Sequence, residues 1–245
     1  MPRYKIIIEY DGTNFAGWQK QKDTISVQKT IEDALAKLSE KEITIHASGR
    51  TDAGVHALGQ VAHFDLDKEM EDWKIRMALN HYLRNEAVVI LSCTKTNDEF
   101  HSRFDAKLRH YQYKILNRRA GAVLSKNRAW HIPYELNLEA MKNAAKHLIG
   151  KYDFSSFRDA ECQAKSPIRT LSKIEIEKIE ENINITISAP SFLHHMVRNI
   201  VGTLVLVGGE KIKADDIKTI LEAKDRTKSG PNAPAYGLYF CQVDY

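Results

Sequence analysis

Ile43-Thr44-Ile45-His46-Ala47-Ser48-Gly49-Arg50-Thr51-Asp52-Ala53-Gly54-Val55-His56-Ala57-Leu58-Gly59-Gln60-Val61-Ala62-His63-Phe64-Asp65-Leu66 reads as two strands joined by a polar loop, with no room for a helix between them. Residues 43–47 read as one strand. From Gly59 to Leu66, Val61, His63 and Asp65 alternate against Ala62, Phe64 and Leu66, the period of two that a strand requires. The intervening block, Ser48 to Ala57, is bracketed by Gly49 and Gly54, so the backbone is free to turn sharply and approach another surface. It also sets Arg50 and Asp52 two residues apart, a carboxylate beside a cation. On its own the block reads equally as a polar hairpin loop, because Asp next to Gly ordinarily serves the backbone of a turn.

Working outward, residues 3–10 are rich in Ile and Tyr, and Gly12 with Asn14 marks the turn that ends a strand there. Ser26 predicts an N-cap, and Val27, Ile31, Ala34, Leu35 and Leu38 follow on one helical stripe. A second helix over residues 72–83 and a strand over 87–94 complete the order β-α-β-β-α-β, the split arrangement of ferredoxin-like domains that RNA-recognition modules also use. The remainder predicts the same order. A strand at 109–116 precedes a helix at 137–148 with Asn137 as cap and Gly150 at its end. Strands at 171–179 and 183–189 flank Glu180-Glu181-Asn182, a helix at 191–207 closes on Gly208-Gly209, and a shorter helix at 214–222 leads to a strand at 236–243. The expected fold class is α+β, built as two ferredoxin-like halves, residues 1–106 and 107–245.

A chain of 245 residues with 43% apolar and 28% charged residues can bury a sizeable core, which excludes disordered and fibrous classes. Cys93, Cys162 and Cys241 are too widely spaced for a CxxC pair and too odd in number to pair completely, which fits a reducing compartment. No secretory leader or apolar run of membrane-spanning length is legible, so a cytoplasmic protein is expected. The net charge of +4 is unevenly distributed: residues 106–134 contain no Asp or Glu and carry +7, leaving −3 elsewhere. Such a run fits a polyanion-binding face made by Arg109, Arg118, Arg119, Lys126 and Arg128, with His110, Tyr111, Tyr113, Trp130 and Tyr134 interleaved. The same composition also fits a solvated basic strand and loop whose aromatics belong to the core. If that is so, a nucleic acid would instead lie along Arg158, Lys165 and Arg169.

Phosphate-loop, dinucleotide, HExxH and GxSxG signatures are absent from the sequence. His194 and His195 read as neighbours on a helix pointing about 100° apart, which suits a core or surface role better than a shared metal. No cofactor and no metal are implied. A lone carboxylate then acts as nucleophile or base and must be ionised, which inside a cleft requires an opposing cation; Arg50, in the same loop, is one candidate. A non-catalytic RNA-binding protein is the main rival reading, but the aromatic RNA-recognition signature is missing. A glycosidase is the other, although those enzymes normally use two acids.

Six blocks, in order, resemble one family. They are Tyr10-Asp11-Gly12-Thr13-Asn14-Phe15-Ala16-Gly17-Trp18-Gln19, the Asp52 loop, Leu108-Arg109-His110-Tyr111-Gln112-Tyr113, Phe157-Arg158 with Cys162 to Thr170, His194-His195-Met196-Val197-Arg198-Asn199, and Gly237-Leu238-Tyr239. The chain resembles the bacterial tRNA pseudouridine synthase A family. That resemblance implies two halves joined into one mostly antiparallel sheet with a central catalytic cleft, and a homodimer. It implies isomerisation of uridine to pseudouridine at positions 38, 39 and 40 of the tRNA anticodon stem-loop. Asp52 is then the nucleophile, attacking ribose C1′ or uracil C6, and Arg198 the arginine held against it. Arg50 takes a phosphate contact, Tyr111 packs on the uracil, and Leu238 is its apolar companion.

Overall fold

The computed structural model describes all 245 residues, with five α-helices and mostly antiparallel strands, a mixed α/β protein. The chain divides into two compact units, residues 1–107 with 239–245, and residues 108–238. No helix is long and apolar enough to cross a membrane.

The first unit runs β1 (Arg3–Tyr10), α1 (Val27–Ser39), β2 (His46–Ala47), β3 (His56–Asp65), α2 (Asp72–Tyr82) and β4 (Val88–Thr96). β1 lies between β4 and β3, antiparallel to both, with Ile6 opposite Ala62 on one side and Cys93 on the other. Alternate residues of β1, namely Tyr4, Ile6, Ile8 and Tyr10, enter the core. The register of β1 against β3 slips between Ile8 and Tyr10, an irregularity that bends the strand where the Asp52 loop returns. Helix α1 begins as the sequence indicates, the Ser26 hydroxyl accepting the Lys29 amide and Val27, Ile31, Ala34 and Leu35 buried. The stripe stops at Leu35, because Leu38 is only half-buried.

Two expectations for the central pair of strands change. The first strand shrinks to His46–Ala47, because the Ile45 amide donates to the Glu32 carboxylate of α1 instead of entering a ladder. The second begins at His56, inside the polar block. The block is therefore part of a strand at its C-terminal end.

The second unit contains β5 (Leu108–Asn117), β6 (Trp130–Ile132), α3 (Leu138–Lys146), β7 (Gly150–Asp153), β8 (Ile168–Leu171), β9 (Lys173–Ile179), β10 (Asn182–Ala189), α4 (Met196–Gly208) and α5 (Asp216–Ala223). β10 is flanked by β5 and β9, antiparallel to both, and the short β6 adds in parallel to β5. β6 and β7 are too short to show a period in the sequence. The strand expected at 171–179 is two, interrupted where the Ser172 amide donates to the Ser188 carbonyl. Asn137 caps α3 through the Ala140 amide, but the helix ends at Lys146, and Gly150, at φ +128°, opens β7 instead of closing the helix.

Helix α4 starts five residues later than expected. His195 sits at φ 59°, ψ 4°, a left-handed conformation that cannot propagate a right-handed helix from Ser191. Once begun, α4 is buried on nearly every side, and a Cβ on Gly202 would lie 1.8 Å from the Pro231 carbonyl oxygen, so only glycine allows that approach. The last strand, β11 (Leu238–Asp244), grouped by the sequence with the second half, clusters from Tyr239 onward with the first unit. There Tyr239 and Phe240 pair in parallel with His56 and Ala57.

Candidate active site

Asp52 opens a tight turn. The Val55 amide donates to the Asp52 carbonyl at 3.2 Å, and Gly54 sits at φ +79°, the positive angle a type II turn needs at its third residue. The Asp52 side chain is half-exposed.

Both legs of the loop are tied down. On the ascending leg, buried Gln60 accepts the Ser48 hydroxyl at 2.6 Å and donates to the Gly49 carbonyl at 3.0 Å. Ahead of Asp52, the Thr51 carbonyl accepts the Trp18 amide at 3.0 Å and the Thr51 hydroxyl meets the Tyr10 hydroxyl at 2.7 Å. Burial raises the Tyr10 phenol well above its ordinary value, so it remains a neutral hydrogen-bonding group. On the descending leg, the His56 Nδ1 accepts the Gly12 amide at 3.1 Å, and the ring stacks on Tyr239 with centroids 4.8 Å apart. Two glycines permit this contact. A Cβ on Gly12 would lie 2.0 Å from the Val55 carbonyl oxygen, and one on Gly17, at φ +92°, would lie 2.7 Å from that of Thr51.

The block from Tyr10 to Gln19 is thus the cradle of the Asp52 loop. Gln60, outside every block read from the sequence, is the anchor of its other side. The signal for it was a polar residue in line with Ala62, Phe64 and Leu66, the apolar side of the alternation. Arg50 lies on the same loop and is exposed.

In the second unit Arg198 occupies the first turn of α4, its Nε donating to the Ala233 carbonyl at 2.7 Å while the Ala233 amide returns to the Arg198 carbonyl at 3.2 Å. Tyr113 is fully buried and donates its hydroxyl to the Pro234 carbonyl at 2.7 Å. Arg198 and Tyr113 therefore pin two consecutive residues, Ala233 and Pro234, at the start of the segment that leads to Leu238. Gly237 is required in it, since a Cβ there would lie 2.6 Å from the Tyr113 ring. Tyr111, two residues earlier on β5, lies edge-on to Phe192 with centroids 5.1 Å apart. Tyr111 and Leu238 are both buried, at 8% and 5% exposure.

His194 and His195 are not helical neighbours, because α4 begins after them. Their rings lie 3.9 Å apart, and the His195 Nδ1 meets the Asp159 carboxylate at 2.6 Å. Amide donation from Glu161, with that histidine contact, holds the Asp159 carboxyl below its usual range against the opposing effect of burial. The expectation that adjacent histidines diverge rested on helical geometry, and the left-handed His195 removes it.

The basic candidates divide into engaged and outward-facing groups. Arg118 donates to the carbonyls of Ala120 and Gly121 and pairs with Glu181 at 2.9 Å. Arg158 holds the carbonyls of Cys162 and Ala164, and Arg169 those of Ser166 and Ile168. Burial holds the Arg169 guanidinium below its ordinary value, and its Nε is buried without a hydrogen bond. Arg109 reaches the Pro190 carbonyl. Arg119, Lys126, Arg128 and Lys165 are exposed.

A turn braced through the carbonyls of Gly49, Thr51 and Asp52 to present one carboxylate suits an enzyme with a preorganised acid, in a protein whose basic run suits an RNA substrate. The family model described as tRNA pseudouridine synthase matches residues 6–105 and 144–245. A tRNA pseudouridine synthase A from Ehrlichia chaffeensis is 52% identical over 244 residues, covering 99% of this chain and 100% of that protein. Another, from Anaplasma phagocytophilum, is 51% identical over 245 residues, covering 99% and 100%. The chain belongs to the tRNA pseudouridine synthase A family and is an isomerase acting on tRNA. Tyr111 lies in the stretch between the two segments that the family model matches.

Proposed function

We propose that this enzyme isomerises uridine at positions 38, 39 and 40 of the anticodon stem-loop, with Asp52 as nucleophile. The observation that carries the reading is the Asp52 turn, whose backbone is braced by Tyr10, Gly12, Gly17, Trp18 and Gln60. Preorganisation of this kind lowers the reorganisation needed at the moment of reaction.

The target nucleotide is first turned out of its stack, at a cost of a few kcal/mol. Asp52 attacks at C1′ or at C6, and the bond between N1 and C1′ breaks. The base rotates and C5 bonds to C1′ while the bond from Asp52 breaks, displaced at C1′ by C5 or eliminated from C6, which frees the carboxylate; C5 then loses its proton and N1 gains one, so nothing is added or removed overall. In this proposal Arg198 keeps Asp52 ionised, Arg50 contacts a phosphate, and Tyr111 with Leu238 packs on the flipped base. Each unit is read as a ferredoxin-like half; in the first, the order β4-β1-β3-β2 with α1 and α2 as crossovers supports this. The enzyme is proposed to act as a homodimer in the cytoplasm, where its substrate is.

The test is to treat tRNA transcripts carrying uridine at each anticodon-arm position with the enzyme and map pseudouridine by chemical modification and primer extension. Product at 38, 39 and 40 is expected. Product confined to another arm would overturn the proposed target.

A further inference from the structure

The loop between β5 and β6 carries the two most exposed large apolar side chains of the protein, Leu124 at 95% and Val123 at 79%. The tip is a folded structure. The Lys126 amide donates to the Val123 carbonyl at 3.3 Å, and the Arg128 and Ala129 amides donate to that of Ser125 at 3.0 and 3.1 Å. The root is braced by Arg118 on the Ala120 and Gly121 carbonyls and by His131, whose Nε2 meets the Arg118 carbonyl at 2.8 Å. Arg119, Lys126 and Arg128 are exposed around the tip, and Arg118 pairs with Glu181.

We infer that residues 118–129 form an RNA-docking finger, in which the Val123-Leu124 tip packs against an unstacked base or ribose of the tRNA while Arg119, Lys126 and Arg128 meet flanking phosphates. This rests on the reading that tRNA is the substrate, and it adds a contact surface outside the segments the family model matches. The argument for RNA is charge. Residues 118–129 carry four cations, Arg118, Arg119, Lys126 and Arg128, and no acid, within a longer acid-free run of +7, which complements a polyanion and would repel a second copy of itself. Apolar side chains pressed between cationic ones suit RNA where bases are splayed from the helix, because the tip covers a face that water otherwise wets while the cations release counterions.

The two contributions separate by salt. In the full chain, Val123→Ser/Leu124→Ser should weaken the Kd for an anticodon-arm-containing tRNA transcript about tenfold at every salt concentration, with the slope of log Kd against log salt unchanged. Lys126→Gln should instead reduce that slope by about 0.7 to 0.9. Both sites are exposed, so thermal unfolding should match wild type. A double variant that binds like wild type overturns the finger. So does one that changes only the oligomeric state in sedimentation, which would assign the tip to a contact between chains. Wild-type pseudouridine formation on the same transcript is measured alongside: if it is present while the double variant binds normally, the finger alone fails; if it is absent, the functional reading fails and the Kd still decides the finger.

Discussion

Asp52 owes its standing to what its neighbours do with their own groups. The carbonyl of Thr51 is taken by Trp18, that of Gly49 by Gln60 and that of Asp52 itself by Val55, so the backbone of the loop has little freedom. Asp52→Asn keeps the size and polarity of the side chain and removes its nucleophilicity. Turnover should fall to background while tRNA affinity stays within about twofold, checked by pseudouridine mapping beside filter binding. For Arg198 the expected readout is a pH profile. Arg198→Met removes the proposed cation, so the carboxyl becomes harder to ionise and the acid limb of the residual rate should move to higher pH. An unmoved limb would leave Arg198 with the role its Ala233 contact already gives it, fixing the segment before Leu238.

At the scale of elements, β1 and the turn after it are built to receive the Asp52 loop. Gly17→Ala should show this directly, because the new methyl meets the Thr51 carbonyl at 2.7 Å from a backbone at φ +92°. A loss of about 2 kcal/mol or more in urea denaturation is expected, with kcat reduced further than tRNA affinity. A stable, fully active variant would mean that the loop does not depend on its cradle. Caps and stripes made several elements legible in advance. Ser26 and Asn137 accept the amides three residues on, and β1, β4 and β5 lie within two residues of where periodicity sets them. The start of α4 was not legible, because it depends on His195 adopting a left-handed conformation beside Asp159, a partner 36 positions away.

Across the whole molecule, the acid response should be set in the first unit by His63. This ring is 2% exposed and its Nδ1 accepts the Ser102 amide; burial, aided by His101, Arg3 and His46 and opposed by Asp65, pushes its pKa down to about 4 from 6.5. The folded value is below the unfolded one, so the unfolded chain binds the extra proton between these limits. Stability is therefore complete above about pH 6.5, declines on the order of 2–3 kcal/mol as pH falls to about 4, and then levels for this group. Urea midpoints from pH 7 to 4.5 should follow that course, and His63→Gln should flatten it. An equally steep decline in His63→Gln would assign the effect to other groups. The sequence by itself determined the order of strands and helices in the first unit, the caps of α1 and α3, and the Asp52 turn with its family, because these depend on periodicity, local hydrogen bonding and residue identity. Only the tertiary structure decided that Gln60 anchors the Asp52 loop, that Arg118, Arg158 and Arg169 are spent on backbone carbonyls, and that Val123 and Leu124 stand in water. The partner of a buried polar group, or the absence of cover over an apolar one, is set by residues far away in the chain, and no local pattern encodes it.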